Sequence, residues 1–71
     1  MNKALDAFAE RLRDLIFEKH KSVKEFCEIA KIPDSTVNHW LKKKRQPTIY
    51  YLDKICEYFG VSADYLIGRE N

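Results

Sequence analysis

The chain has 71 residues, of which 45% are hydrophobic and 34% are charged, and its formal net charge is +2. This length suits one domain, residues 1–71, with one small core, and the apolar content is too high for a disordered chain. The apolar runs are only a few residues long, which excludes a membrane span. Because Asp6 and Glu10 follow the first residues so closely, we expect no signal peptide and a cytoplasmic location.

The only two cysteines are Cys27 and Cys56, and each lies among apolar residues in a helical pattern. This environment favours two reduced thiols in the core, with a disulfide as the alternative. The sequence contains no Cys-x-x-Cys and no paired Cys/His spacing, so we predict neither a zinc site nor any other cofactor.

The positive charge is concentrated in one short run. Residues 1–41 carry seven basic and seven acidic side chains, whereas residues 46–71 carry two basic and four acidic ones. The surplus therefore comes from Lys42-Lys43-Lys44-Arg45, here called the basic run. Such a patch on a balanced domain suggests a polyanionic partner. Charge alone equally allows a solvated helix end, where cations suit the helix dipole.

Apolar spacing predicts five helices and no strand, which makes the fold class all-α. The first helix runs from about Lys3 to Lys19, with an apolar stripe at Leu5, Phe8, Leu12, Leu15 and Ile16. The second opens at Ser22, where Ser22-Val23-Lys24-Glu25 fits a capping box, and is about eight residues long. The third starts around Asp34, directly after Pro33, and ends near Lys43.

The fourth helix is predicted to follow Pro47, with Thr48 as its N-cap and Gly60 as its left-handed end. Its buried stripe is predicted to comprise Ile49, Leu52, Ile55, Cys56 and Phe59. The fifth is one or two turns from the N-cap Ser62 to Ile67, stopped by Gly68. Tyr65 and Leu66 are expected to close the core.

The third helix has two unlike faces. At about 100° per residue, Trp40 and Leu41 lie within about 60° of Val37 and form an apolar anchor. The opposite face carries Ser35, His39 and Lys42, with Thr36 and Asn38 on its shoulders. Short polar groups opposite an anchor, with no carboxylate near the centre, are typical of a helix that reads base edges in the DNA major groove.

Several segments together carry a family resemblance. They are Phe8 to Arg13, Ser22 with Phe26, Ile32, Ser35-Thr36-Val37, Lys44 to Thr48 and, most specifically, Phe59 to Gly68. This pattern is similar to the Cro/cI-type helix-turn-helix family of phage and bacterial repressors, also called the xenobiotic-response-element family. The resemblance implies a compact five-helix, lambda-repressor-like bundle, with its third helix in the major groove. It also implies a homodimer on a two-fold symmetric double-stranded DNA operator.

Site residues follow by position. The resemblance makes Asp34, Ser35, Thr36, Asn38 and His39 the groove-facing set. We expect base reading from Ser35, Thr36, Asn38 and His39, whereas Asp34 is expected to cap the third helix rather than to accept from a cytosine amino group. We expect phosphate binding from Ser22, Lys24, Lys42, Lys43, Lys44 and Arg45.

The sequence departs from the family at the second helix and at two turns. Val23 stands where many members have a Gln that touches phosphate, so Lys24 and the N–H groups at the start of that helix are expected to make this contact. His20 and Lys31 occupy turn positions that usually hold Gly. If both adopt positive φ, each costs about 1 kcal/mol. We expect no further role for His20.

Two more departures concern the third helix. Ile16 and Leu41 replace an Arg–Glu pair of many members with an apolar contact. Lys42-Lys43 replaces the usual Asn-Gly, which adds charge for phosphate binding and allows a longer helix.

Three aromatic residues near the third helix are assigned by position. Trp40 is expected in the core. One of Tyr50 and Tyr51 should pack inward, and the other should reach a phosphate or a dimer partner.

These observations predict a DNA-binding repressor or regulator of transcription that dimerises through the fifth helix and the loop before it. The alternative is a protein-interaction module of the same fold, such as an antitoxin-like partner. We do not expect an enzyme, because the sequence has no nucleophile–base pair, metal site or phosphate loop.

Overall fold

The computed structural model describes residues 2–70, which form five α-helices and no β-strand. Their bounds are α1 Lys3–Lys19, α2 Val23–Ala30, α3 Asp34–Leu41, α4 Ile49–Phe59 and α5 Ala63–Leu66. The prediction of an all-α, five-helix fold is therefore confirmed. α1 packs against α2, α3 and α5, and α4 packs against α5. None of these helices is long and apolar enough to cross a membrane.

Side-chain caps begin four of the five helices. Ser22 Oγ accepts from the N–H of Glu25 at 3.1 Å, Thr48 Oγ1 from that of Tyr51 at 3.2 Å, and Ser62 Oγ from that of Tyr65 at 2.9 Å. Asn2 does the same for α1. Each bond satisfies an N–H group that has no partner within the helix.

The start of α3 differs from the prediction. Pro33 occupies the N-cap position, and no side chain there bonds to the helix. The prediction that Asp34 caps α3 is therefore wrong, because Asp34 is already the first helical residue. Its carboxylate still lies in the first turn, where negative charge suits the helix dipole.

The core gathers apolar side chains from all five helices. Leu12 and Ile16 of α1 are fully buried, together with Phe26, Val37, Ile55 and Leu66 from the other four helices. Trp40 is also buried and meets Phe8 edge to face, with ring centroids 5.7 Å apart, so its predicted core position is confirmed. Ile16 and Leu41 both belong to this core, as their apolar character predicted.

The predicted buried stripe of α4 is wrong at its first residue, Ile49. Ile55 and Phe59 are buried, but the side chain of Ile49 is 86% exposed. On a helical wheel Ile49 lies roughly 100° from the line through Ile55 and Phe59, so it points away from the core. Of the two tyrosines, Tyr51 packs inward against Trp40 at 5.5 Å, and Tyr50 stays 66% exposed.

Positive φ angles mark the two turns that border α3. Lys31, at a turn position where the family usually has Gly, has φ 61° and ends α2. Lys43 has φ 62°, and α3 ends at Leu41, two residues before the predicted end near Lys43, so the longer helix that Lys42-Lys43 allows does not form. A left-handed residue cannot continue a right-handed helix.

His20 also differs from expectation. Its φ is −133°, an extended conformation, and its side chain is only 8% exposed. Nδ1 lies 3.1 Å from Glu25 Oε1, and Nε2 lies 2.8 Å from the hydroxyl oxygen of Tyr58. The expectation that His20 has no role is wrong, because its ring joins the connection between α1 and α2 to α4.

The chain after α5 is fixed against α1. Gly68 has φ 84°, and a Cβ at this position would lie 2.8 Å from the Cβ of Ala7. Arg11 donates to the carbonyl oxygen of Tyr65 at 2.7 Å, and its guanidinium carbon lies 4.3 Å from the centre of the Tyr65 ring. Glycine is therefore required here both by its conformation and by the close approach of α1.

Candidate nucleic-acid interface

α3 is held by one face and exposed on the other. Val37, Trp40 and Leu41 are buried, whereas Ser35 and Asn38 are exposed. The turn before the helix is fixed by left-handed Lys31, and the N–H of Ile32 donates to the carbonyl oxygen of Cys27 at 3.1 Å. A short rigid turn and a buried anchor together give the exposed face of α3 a defined orientation relative to α2.

Thr36 and His39 lie at the side of this exposed face and are half-buried. They line a cleft of about 150 Å³ whose other walls are Trp40, Arg45, Gln46, Thr48 and Tyr51. The hydroxyl, imidazole, guanidinium and amide groups around this cleft offer several hydrogen-bond donors. Such a lining suits an anionic or hydrogen-bonding group, such as a phosphate oxygen or a base edge.

The basic run, residues 42–45, is exposed throughout and directly follows α3. The N–H groups of Lys44 and Arg45 donate to the carbonyl oxygen of His39, at 2.9 and 3.4 Å. These bonds fold the run against the C-terminal end of α3, where cations also suit the helix dipole. Lys43 Nζ lies 3.5 Å from Asp6 Oδ1, the one ion pair formed by the run within residues 2–70.

The start of α2 holds the other two predicted phosphate-binding residues. Ser22 is half-buried and its Oγ caps the helix, while Lys24 is exposed. The capping box differs in detail from the prediction, because Glu25 accepts from the N–H of Lys21 rather than from that of Ser22. A carboxylate thus already occupies this helix start, which makes it less attractive to an anion than the basic run.

Hydrogen bonds explain the acidity of Glu25. The N–H of Lys21, followed by the ring of His20, holds the pKa of the Glu25 carboxyl below its usual value. Glu25 is therefore ionised in the folded protein at neutral pH, and its charge adds to the negative potential at this end of α2.

Both cysteines are free thiols, as predicted in the favoured of the two alternatives. Burial, helped by the nearby Asp34 carboxylate, raises the pKa of Cys27 to about 11. Burial also raises the pKa of Cys56. A thiol with such a raised pKa stays protonated at neutral pH and is a poor nucleophile, which fits a packing role.

The structure brings most predicted site residues to α3 and the loop after it, and it adds three that sequence reasoning missed. Gln46 and Thr48 line the cleft beside His39, and Asp6 pairs with Lys43. Gln46 and Thr48 belong to a segment that carries the family resemblance, so that segment was a usable signal. No local signal pointed to Asp6, because its partner lies far along the chain.

A family model described as helix-turn-helix matches residues 10–66, which include the second half of α1 and all of α2 to α5. The comparisons with curated proteins and with solved structures find no match. On the strength of the family match and of the five-helix arrangement, the chain belongs to the Cro/cI-type helix-turn-helix family of DNA-binding regulators.

Proposed function

We propose that this chain is the sequence-specific DNA-binding domain of a bacterial or phage transcriptional repressor or regulator that acts in the cytoplasm. α3 enters the major groove of double-stranded DNA, and no catalysis takes place. The observation that carries the proposal is the pair of unlike faces on α3, with Val37, Trp40 and Leu41 buried and Ser35 and Asn38 exposed. A major-groove helix needs such an anchor opposite short polar side chains.

The base-reading set is Ser35, Thr36, Asn38 and His39. Asn38 is exposed and has the amide geometry that donates to N7 and accepts from N6 of adenine. Ser35 is exposed, and its hydroxyl donates a hydrogen bond to, or accepts one from, either base of a pair. Thr36 and His39 line the cleft, so they are suited to a base beside the DNA strand that the basic run contacts.

The basic run supplies the phosphate contacts, with Lys24 and Ser22 at the start of α2 as a second, weaker group. The support is position and charge: Lys42, Lys44 and Arg45 are exposed beside α3 and have no carboxylate within 4 Å in residues 2–70. Phosphate contacts of this kind fix the register of a protein on DNA without reading its sequence.

A homodimer completes the reading unit. One domain of this size reads only a handful of base pairs, and a second copy on a two-fold symmetric operator doubles the site. We place the dimer contact at α5 and the loop before it, where Ser62, Ala63 and Asp64 are exposed. The two half-sites of such an operator should lie about one helical turn apart. Sedimentation of the complex with this symmetric site should give two chains per duplex.

The second candidate is a protein-interaction module of the same fold. Four large apolar side chains favour it by their exposure, namely Phe17, Ile29, Ile49 and Tyr50. Isolated exposed apolar residues are common on folded proteins, so this observation weighs less than the two faces of α3.

A selection from random double-stranded DNA separates the two candidates. The proposed function predicts enrichment of one motif over successive rounds, with an internal two-fold symmetry. A variant with Ser35 and Asn38 both changed to Ala keeps the buried anchor and the basic run, and it is the matched control that should enrich nothing. If the wild-type chain enriches no motif, the proposed function is wrong and the protein-interaction role is favoured.

A further inference from the structure

The N-cap residue and the first turn of α1 contact the loop after α3 at two points. Asp6 Oδ1 lies 3.5 Å from Lys43 Nζ, and Asn2 Nδ2 donates to Gln46 Oε1 at 3.1 Å. One contact is an ion pair and the other is neutral, and together they lie at both ends of the segment 43–46. The loop that carries the proposed phosphate-binding charge is thus held by the start of the chain's first helix.

Lys43 is the member of the basic run whose charge is already paired. Its backbone is left-handed, with φ 62°, a conformation that glycine adopts more easily than lysine. Both partners remain accessible, since the Lys43 side chain is 42% exposed and that of Asp6 is 40% exposed. An exposed ion pair of this kind is weak enough to exchange with another anion.

We infer that Asp6 is an internal counterion that lowers the contribution of Lys43 to DNA binding. The inference rests on the proposed phosphate-binding role of the basic run. A DNA phosphate oxygen that approaches Lys43 must replace Asp6 Oδ1 or share the ammonium group with it. Asp6 therefore competes with the phosphate and sets the affinity for DNA of any sequence, without touching a base.

The direct test is the Asp6→Asn variant, which removes the charge and keeps the size of the side chain. Binding to a random-sequence duplex is measured by fluorescence anisotropy at low and at high salt. We expect tighter binding at low salt by about two- to fivefold, the range that exposed ion pairs allow. The gain should shrink as salt is added, because salt screens exposed charges.

Two variants on the same helix serve as controls. Asp14→Asn makes the same change in net charge at an exposed position of α1 about 12 Å along the helix axis. It should strengthen binding less than Asp6→Asn does. Asp6→Glu keeps the charge and should bind DNA like the wild type. Circular dichroism at the assay temperature checks that each variant is folded.

The decisive comparison adds Lys43→Ala, which keeps a side chain with a Cβ at the left-handed position. In this background Asp6→Asn should have no more effect than Asp14→Asn. If the gain in affinity from Asp6→Asn persists in the Lys43→Ala background, the inference is wrong while the proposed function stands. The same conclusion follows if, in the wild-type background, this gain is no larger than that from Asp14→Asn. If Lys43→Ala does not weaken DNA binding at all, the phosphate-binding role of Lys43 fails and the inference falls with it.

Discussion

Lys31 and Lys43 both hold a left-handed backbone, yet they differ in what their side chains contact. Lys43 pairs with Asp6 and stands in the basic run, whereas the exposed side chain of Lys31 forms no ion pair within residues 2–70. The strain at Lys43 is therefore accompanied by a charge that the proposed function uses. The strain at Lys31 serves the turn between α2 and α3, for which glycine would be the easier residue.

This difference makes Lys31→Gly a stabilising change. Removal of the Cβ relieves the left-handed strain, and part of the gain is lost to the greater freedom of glycine in the unfolded chain. The net gain in the free energy of unfolding should be about 0.5–1 kcal/mol. Urea denaturation followed by circular dichroism measures it.

Lys31→Ala is the matched control, because it removes the same charge and keeps the Cβ. It should leave the free energy of unfolding close to that of the wild type. Equal stabilisation by Ala and by Gly would show that charge, and not backbone strain, limits stability at this turn.

The N-terminal cap of α2 connects this short helix to other elements. It has only eight residues, a length at which an isolated helix is not stable, so its start must be fixed by other contacts. The Glu25 carboxylate makes two of these contacts, with the N–H of Lys21 and with the ring of His20. Since His20 also bonds to Tyr58, the cap links α2 to α4.

The lowered pKa of Glu25 gives this link a pH dependence. A carboxyl whose pKa is lower in the folded than in the unfolded state stabilises the fold above its unfolded value, near 4.5, and loses this effect as pH falls through the folded value. Glu25→Gln should therefore lower the melting temperature most above about pH 5, and its difference from the wild type should shrink towards about pH 3.

Glu28→Gln makes the same charge change at an exposed position of the same helix and is the control. Its melting temperature should follow the wild-type profile across this range. A Glu25→Gln difference that stays constant down to low pH would mean that the side chain acts by packing alone.

For the molecule as a whole, local signals in the sequence predict the helices and their starts. Ser22, Thr48 and Ser62 cap α2, α4 and α5 because capping depends only on residues within one turn. The anchor of α3 was also predictable, since its spacing follows from helix geometry. The family resemblance then implied that the five helices form one compact bundle.

The features that sequence could not predict depend on which helices meet. Ile49 fits the spacing of a buried stripe, but its exposure is set by the direction in which α4 faces the core. The burial of His20 depends on Tyr58, and the pairing of Lys43 depends on Asp6. In each case the deciding partner lies on an element distant in the chain.

The central claim is that α3 reads bases while the basic run binds phosphates. Its most direct test is the ratio of the Kd for random DNA to the Kd for the selected site, measured over a range of salt. Asn38→Ala should lower this ratio by about 5- to 100-fold and keep the salt slope. Lys44→Ala should weaken both complexes alike and reduce the log–log salt slope by about 0.9. Equal weakening of both complexes by Asn38→Ala, or a changed ratio with Lys44→Ala, would contradict the account.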